Sequence, residues 1–478
     1  MKKWIAFFTA VLTTSVVSAQ NEISAFTATG TGAVTTFVTD YHALGINPAN
    51  LGWNSQFEGK RVTFGLLDFG FALDSKALNN PLIRQSFSFE AGENSVEEKL
   101  EMLKAITENG IYFSADVNWV GVGVTTGKLG GFAFSMRDRM QSNFEINQTG
   151  GEILLLGYNS PYFDQKFDEN DNATVDPNNT EYGVASNPKT LAQLFDGTNI
   201  NFNWYREYNL GYGKRVINND LLSLYAGIGI KYLQGIGVLD IRADGNDFTA
   251  FSSFDSNFGI DYRKFYLEVF GISSDKHKNV PIGKGAGLDF GINAVIAKKL
   301  KVGMALNGLG QINWSGKSIT AENKVLDTTY FGGLTNPNLF EQINVLIGED
   351  GLFEWKEQAA GSKTIATPAV WRFGTSFHPS KKFQVGGDVS LPVNGDVPGS
   401  LSGGIYGAGI SVKPLPWFRF SAGYVTGENI KNKYPVGITF IKGLGVWESG
   451  IASRDIVSLF IDNGTTVSLV TGFLRFRI

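Results

Sequence analysis

The sequence predicts an all-β protein: a transmembrane antiparallel β-barrel of about fourteen strands, with a plug in its lumen formed by the N-terminal segment. Three observations carry this. The 478-residue chain opens on an export signal and closes on an alternating strand, Thr465 to Ile478. Between them lies no second apolar run of the ~20 residues that a spanning helix needs. Short and long connections alternate along the chain, as in a barrel with its turns on one side of a membrane and its loops on the other.

The export signal is expected over residues 1–19. Lys2 and Lys3 give a positive start, Trp4 to Val17 is an apolar and Thr/Ser run, and Val17 and Ala19 form a small-residue cleavage site that would leave Gln20 first. No cysteine follows to take a lipid anchor, and the whole chain contains none, so no disulfide contributes to stability. A closed barrel supplies stability differently, by pairing every backbone N–H and C=O with a neighbouring strand.

Composition agrees. The chain has 58 Gly, 37 Phe, 16 Tyr and 9 Trp. Glycine at this level suits curved sheets with close backbone approach, and the aromatics suit a lipid-facing wall. A net charge of −4 argues against nucleic-acid partners. The mean hydropathy of −0.05 is compatible with a barrel, because only every second strand residue faces lipid.

The predicted strands are 61–73, 111–126, 129–148, 199–217, 221–242, 284–297, 300–315, 365–378, 382–393, 400–412, 417–427, 433–441, 444–460 and 465–477. Alternation is plain in several. In 199–217, Phe202, Trp204, Tyr208, Leu210 and Tyr212 oppose Asn201, Asn203, Tyr205, Glu207, Asn209 and Gly211. In 284–297, Leu288, Phe290 and Ile292 oppose Asp289, Gly291 and Asn293. Polar long connections fall at 149–198, 243–283, 316–364, 394–399 and 428–432. In 444–460 the stretch Glu448 to Asp455 breaks the alternation, and Asn463-Gly464 reads as a tight hairpin turn. On the closing strand Val470, Leu474, Phe476 and Ile478 are placed toward lipid and Arg475 and Arg477 inward, with 465–477 closing against 61–73.

One helix is predicted in the first long connection. Ser95-Val96-Glu97-Glu98 is a capping box, Val96, Leu100, Leu103 and Ile106 follow at helical spacing, and Gly110 stops it. It reads as a structural element of an outer loop.

Residues 20–58 do not alternate and precede the barrel at 59–478. A compact, Gly-rich segment ahead of a barrel has a natural place inside the lumen, and Pro48 after Asn47 fixes a turn there. Asp40 followed by Asn47-Pro48-Ala49 resembles the plug signature of the FadL-type outer-membrane transporter superfamily, which also includes PorV-like proteins of the Bacteroidota. The Ala-Gln cleavage boundary and the Gly-Phe-Leu-Arg-Phe-Arg end are similar to Bacteroidota outer-membrane proteins. The resemblance implies a fourteen-stranded barrel with an N-terminal hatch, a Gram-negative outer membrane with its lipid as surroundings, and passive uptake of small hydrophobic or amphipathic molecules. The alternative it implies is a structural partner in protein secretion or surface attachment. Two positions depart from the pattern: Asn50 stands where the family has Gly, and Ile478 ends the chain in place of an aromatic residue.

No catalytic set is found, so the expectation is a non-enzyme without cofactor or metal. His42, His277 and His378 lack ligand spacing, and His42 reads as structural. Asp168, Asn170, Asn172 and Thr174 loosely resemble a calcium loop, but Ala173 replaces the turn glycine and no Glu closes it. The candidate lumen-facing charges are Arg137, Arg139, Glu207, Lys231, Asp289, Arg372, Asp388 and Arg419. Charges inside a barrel avoid lipid, so they read first as ion-paired scaffolding and second as a polar permeation path; either way, the wall is not a greasy tunnel.

Overall fold

The computed structural model describes residues 25–53, 61–86, 94–127, 129–254, 282–314, 318–335, 352–353, 355–358, 362–395, 397–401, 403–428, 432–443, 445–461 and 464–478. The expected export signal and His277 lie outside the described residues, as does Asn463.

Fourteen strands make the wall. They are β1 (Val62–Asp74), β2 (Ile111–Thr126), β3 (Gly130–Glu145), β4 (Asn199–Asn218), β5 (Leu222–Ala243), β6 (Gly283–Ile296) and β7 (Leu300–Trp314). Then follow β8 (Lys363–Ala366 continued by Val370–Ser380), β9 (Phe383–Pro392), β10 (Ile405–Leu415), β11 (Phe418–Gly427), β12 (Val436–Lys442), β13 (Trp447–Ser453) and β14 (Thr466–Arg477). Each pairs antiparallel with the next. β14 returns to β1, from Thr63 opposite Arg477 to Asp74 opposite Thr466, so the sheet closes and keeps no free edge among its wall strands. No helix among the described residues is long and apolar enough to cross a membrane.

Period-two alternation sorts each strand into two faces. Large apolar side chains stand exposed on the outer face of every wall strand, from Phe64 on β1 and Leu210 on β4 to Phe290 on β6, Phe373 on β8, Phe440 on β12 and Phe473 on β14. An apolar band that encircles the molecule matches a bilayer better than water. Short turns collect at one end and long connections at the other, as the alternation of connection lengths predicts.

β8 is broken at Thr367-Pro368-Ala369, where Pro368 has no N–H for the ladder. The partner strand β7 bulges opposite, between Leu306 and Leu309. Gly308 there takes φ +74°, and its carbonyl accepts from Thr367 Oγ1 at 2.7 Å.

Four expectations are corrected. β13 ends at Ser453 rather than running to residue 460, because Arg454 turns in to Asp74 at 3.5 Å and Asp455 accepts from the Tyr434 amide at 3.2 Å. The link to β14 is therefore a longer connection with a 3-10 turn at Val457–Leu459. Val470 faces inward against Phe26. Successive Phe473 and Leu474 are both exposed, so the alternation slips by one residue beside the Leu67 kink of β1 (φ +57°) and the β13 bulge at Glu448–Gly450. In the helix Val96–Asn109 the capping box forms, with Ser95 N donating to Glu98 Oε2 at 2.9 Å, but its buried face carries Met102, Leu103 and Ile106 while Val96 and Leu100 are exposed.

The fourth correction concerns the long connections, expected as polar loops. They fold into a cap with its own apolar core. Leu103 and Ile106 of the first helix, Ile153 and Leu154 of a second helix (Gln148–Leu156), and Phe163, Phe195, Phe331 and Phe353 pack onto Phe202, Trp204, Leu239 and Ile241 at the strand ends. Strands Phe248–Phe254, Ser318–Ala321 and Trp355–Gln358 extend the sheet beyond β5 at this end. A separate three-stranded sheet forms from Gln165–Phe167, Tyr182–Thr190 and Val325–Thr329.

Candidate functional site in the lumen

Residues 25–53 pack against inward-facing positions of wall strands, and nearly every side chain in them is buried. Glycines on the wall make room. The Tyr41 ring fits where a Cβ at Gly65 or Gly121 would stand, and the carbonyls of Thr31 and Gly32 lie where side chains at Gly409 and Gly407 would. Alanine in place of glycine would drive its methyl into the Tyr41 ring at the first pair and into a backbone carbonyl at the second.

The motif residues anchor this segment at opposite sides. Asp40 takes φ +48° and its carboxylate reaches Arg475 of β14 at 2.6 Å, with Arg477 at 3.9 Å. Asn47 caps the turn Pro48–Gly52 by accepting from the Ala49 amide at 3.1 Å, and its own amide meets Asn293 of β6 at 2.8 Å. Pro48 and Ala49 lie against Gly227 of β5 and Gly291 of β6. Asn50, the departure from the family pattern, donates to the carbonyls of Thr35 and Val38 at 2.9 Å each and so ties the preceding loop to the turn. Asp388 of β9 accepts from the Val34 and Thr35 amides at 2.6 Å each.

Asp68 of β1 makes a further anchor that the sequence reading passed over. It accepts from Tyr41 Oη at 2.9 Å and Asn118 at 3.1 Å, and lies 3.2 Å from His42 Nε2. Nδ1 of His42 is 3.0 Å from Thr27 Oγ1, so both ring nitrogens are engaged and the residue is structural. A carboxylate within the apolar run of β1 was the available signal, since the lipid face would not tolerate it.

The predicted lumen charges divide into three groups. Lys231 of β5 bridges Glu207 of β4 at 3.3 Å and Asp289 of β6 at 3.1 Å, with Arg137 in register opposite Glu207 and Arg139 at 3.6 Å from Asp116. Asp289 also accepts from the Gly308 amide at 2.8 Å, which ties this layer to the β7 bulge. Arg372 stands apart on β8, 3.2 Å from Ser390 on the Asp388 strand. Arg419 lies at the short-turn end, away from both. Lys231, Glu207 and Asp289 are buried, as are Arg139 and Asp116, so each partner offsets a desolvation cost that the other would otherwise bear alone. Sequence reasoning also missed Glu448, which holds Arg475 and, at 3.2 Å, Arg477, and Asp74, which holds Lys433 and Arg454.

The loop at residues 168–176 is an exposed turn. Asp168 accepts from the Asn172 and Asn170 amides at 2.9 Å, and these bonds, Asn172 first, hold its carboxyl below its ordinary range. Oδ1 takes both of these amides, and Oδ2 accepts from the Asn172 side-chain amide at 3.2 Å.

Residues 180–433, just over half of the chain, match the model of DUF5723, described as a family of unknown function. No curated protein matches the chain. Among solved structures it is similar to the Pseudomonas putida toluene transporter TodX, at 11% identity and a TM-score of 0.48 over 97% of this chain and 99% of that one. It is also similar to a Pseudomonas aeruginosa FadL homologue, at 13% identity and a TM-score of 0.41 over 96% and 98%.

Proposed function

The chain belongs to DUF5723, a family of unknown function, and from the way its lumen is filled we propose that it is a Gram-negative outer-membrane barrel for passive, gated uptake of small hydrophobic or amphipathic molecules. The observation that supports this reading is that residues 25–53 are buried against inward-facing positions of the wall, where they would act as a plug, while an apolar-cored cap lies at the long-connection end. A lipophilic solute gains about 25 cal/mol for each Å² it removes from water, so such a cap offers it a first partition site. The plug is held by hydrogen bonds, ion pairs and glycine contacts, which can be exchanged one by one. No energy-coupling chemistry or catalytic role is assigned. The narrower placement with FadL/PorV-like proteins of the Bacteroidota rests on the Asp40, Asn47-Pro48-Ala49 motif and the closing strand.

The cysteine-free chain permits a clean test. Asn47→Cys and Asn293→Cys, introduced together, would staple plug to wall on oxidation. Uptake of radiolabelled lipophiles by cells carrying the stapled protein should fall to the level of the deletion strain and return on reduction. Equal uptake in the deletion strain and the wild type across the panel would remove the transport reading.

A second reading, a binding partner in secretion or surface attachment, is favoured by the separate three-stranded sheet and by Tyr330 and Val175, exposed on the segments that flank its strands. Stoichiometric co-purification with a secretion component that is lost when residues 165–190 are replaced would favour it over uptake.

A further inference from the structure

The wall is not equally tall all round. β1 to β7 run for 13 to 22 residues, whereas β13 has 7. At about 3.4 Å per residue and a tilt of ~40°, a strand of that length rises roughly 18 Å, against an apolar band about 25 Å tall on a transmembrane barrel. Above Ser453 the remainder of the band has to come from something other than strand.

The connection that follows β13 has the composition for it. Residues 456–461 carry no charge, unlike the loop at 168–176 with its Asp168, Glu169, Asp171 and Asp176. Val457, Leu459, Phe460 and Ile461 are exposed, Phe460 to 83%. Contiguous exposed apolar surface of this kind marks contact with a partner or a membrane.

The turn is built to hold that display. Ser458 is buried beneath it, accepting from the Thr465 amide at 3.2 Å and donating to Asp455 Oδ2 at 2.5 Å. The amides of Leu459, Phe460 and Gly464 donate to the carbonyls of Ile456, Val457 and Ile461 at 3.2, 3.0 and 3.2 Å. The Ile456 amide donates to the Tyr434 carbonyl at 3.0 Å, and Arg84 donates to the Gly464 carbonyl at 2.9 Å. A Cβ at Gly464 would stand 2.2 Å from the Ser458 carbonyl oxygen, so glycine lets the two ends of the turn close on each other. Backbone groups satisfied internally suit a medium poor in water.

Two features indicate which medium. The turn continues the outer side of its own strands, where Ile451 of β13 and Phe473 of β14 are exposed. Beside it stand exposed Tyr434 and Tyr424 of β11, with ring centres 5.8 Å apart. Tyrosine rings, apolar with one polar tip, favour the membrane–water boundary.

We infer that the turn at 457–461 is seated in the lipid leaflet at the long-connection end, where acyl chains meet headgroups, and completes the apolar band where the wall is short. The inference needs a barrel in a bilayer but not the uptake reading: a barrel that moves no solute would be anchored in the same way.

The chain has no cysteine, so a nitroxide can be placed at one position at a time. Phe460→Cys, Phe473→Cys and Val175→Cys, each spin-labelled in the full-length protein, are reconstituted in dioleoylphosphatidylcholine vesicles. Relaxation of each label by oxygen and by a water-soluble nickel chelate is then compared. The oxygen-to-nickel ratio at position 460 is expected to be several-fold above that at 175 and close to that at 473. Ile461→Cys repeats the reading if Phe460→Cys lacks the heat-modifiable gel mobility of a folded barrel. A ratio equal to that at 175 would place the turn in water and overturn the anchor. Protection from both reagents would overturn it as well, by showing the turn covered by protein, a second copy or another partner, in place of lipid.

Discussion

Asp388 shows how much a single side chain decides in this lumen. Its carboxylate accepts two successive amides, Val34 and Thr35, at 2.6 Å each, in a segment with no ladder of its own. Hydrogen bonds to a charged group contribute about 1.5–3 kcal/mol each, and the amides would be left buried without it. Asp388→Ala should therefore loosen residues 25–53 while leaving the wall closed. The expected outcome is faster proteolytic cleavage in that segment, slowed again toward the wild-type rate in Asp388→Asn, with unchanged heat-modifiable mobility in both. Cleavage at the wild-type rate in Asp388→Ala would refute the anchor. The residue was legible as lumen-facing from the parity of β9, whereas its partners were not, because nothing in residues 20–58 marks which amide meets which strand. Asp68 and Glu448 escaped for a related reason: each sits near a kink or bulge, at Leu67 and at Glu448–Gly450, where counting by twos ceases to assign a face.

At the scale of elements, the barrel strands and the cap obey different signals. Strands of ten or more residues with one lipid face and one lumen face display period two openly, so their positions were readable to within a few residues. The cap is built from short helices and strand extensions whose apolar residues are scattered among polar ones, and its core exists only when several connections meet. The helix Val96–Asn109 stands between these cases. Its capping box was visible, yet its buried face was set by contact with the helix Gln148–Leu156 and not by its own spacing. Ser95→Ala removes the Oγ that accepts the Glu98 amide at 3.3 Å and should cost this helix about 1 kcal/mol. Amide hydrogen exchange over residues 96–103 should quicken roughly fivefold. Exchange in β2 and β3, held by their own ladder, should not change.

For the whole molecule, the lumen is a matched pair of surfaces. Glycines on β1, β2, β4, β5, β6 and β10 leave a groove that residues 25–53 occupy. Deleting residues 25–53 should leave a closed wall, because ladder hydrogen bonds from β1 round to β14 do not pass through that segment. The deleted protein is expected to form stable open channels in planar bilayers, at conductance several-fold above the quiet baseline of the full chain. A baseline equal to that of the full chain would place the barrier in the cap instead.

The amino-acid sequence by itself determined the architecture: strand number, the side on which turns and loops fall, and the closing of the last strand on the first. Each follows from short-range rules, period two along a strand and alternation of connection length, which one strand can express without the others. Tertiary structure alone decided what the lumen holds. Asp40 meets Arg475 across 435 positions of chain, and Asp388 meets the Val34 amide across 354. Such meetings depend on the curvature of the closed wall and on the bulges that turn side chains across it, and no local periodicity records either.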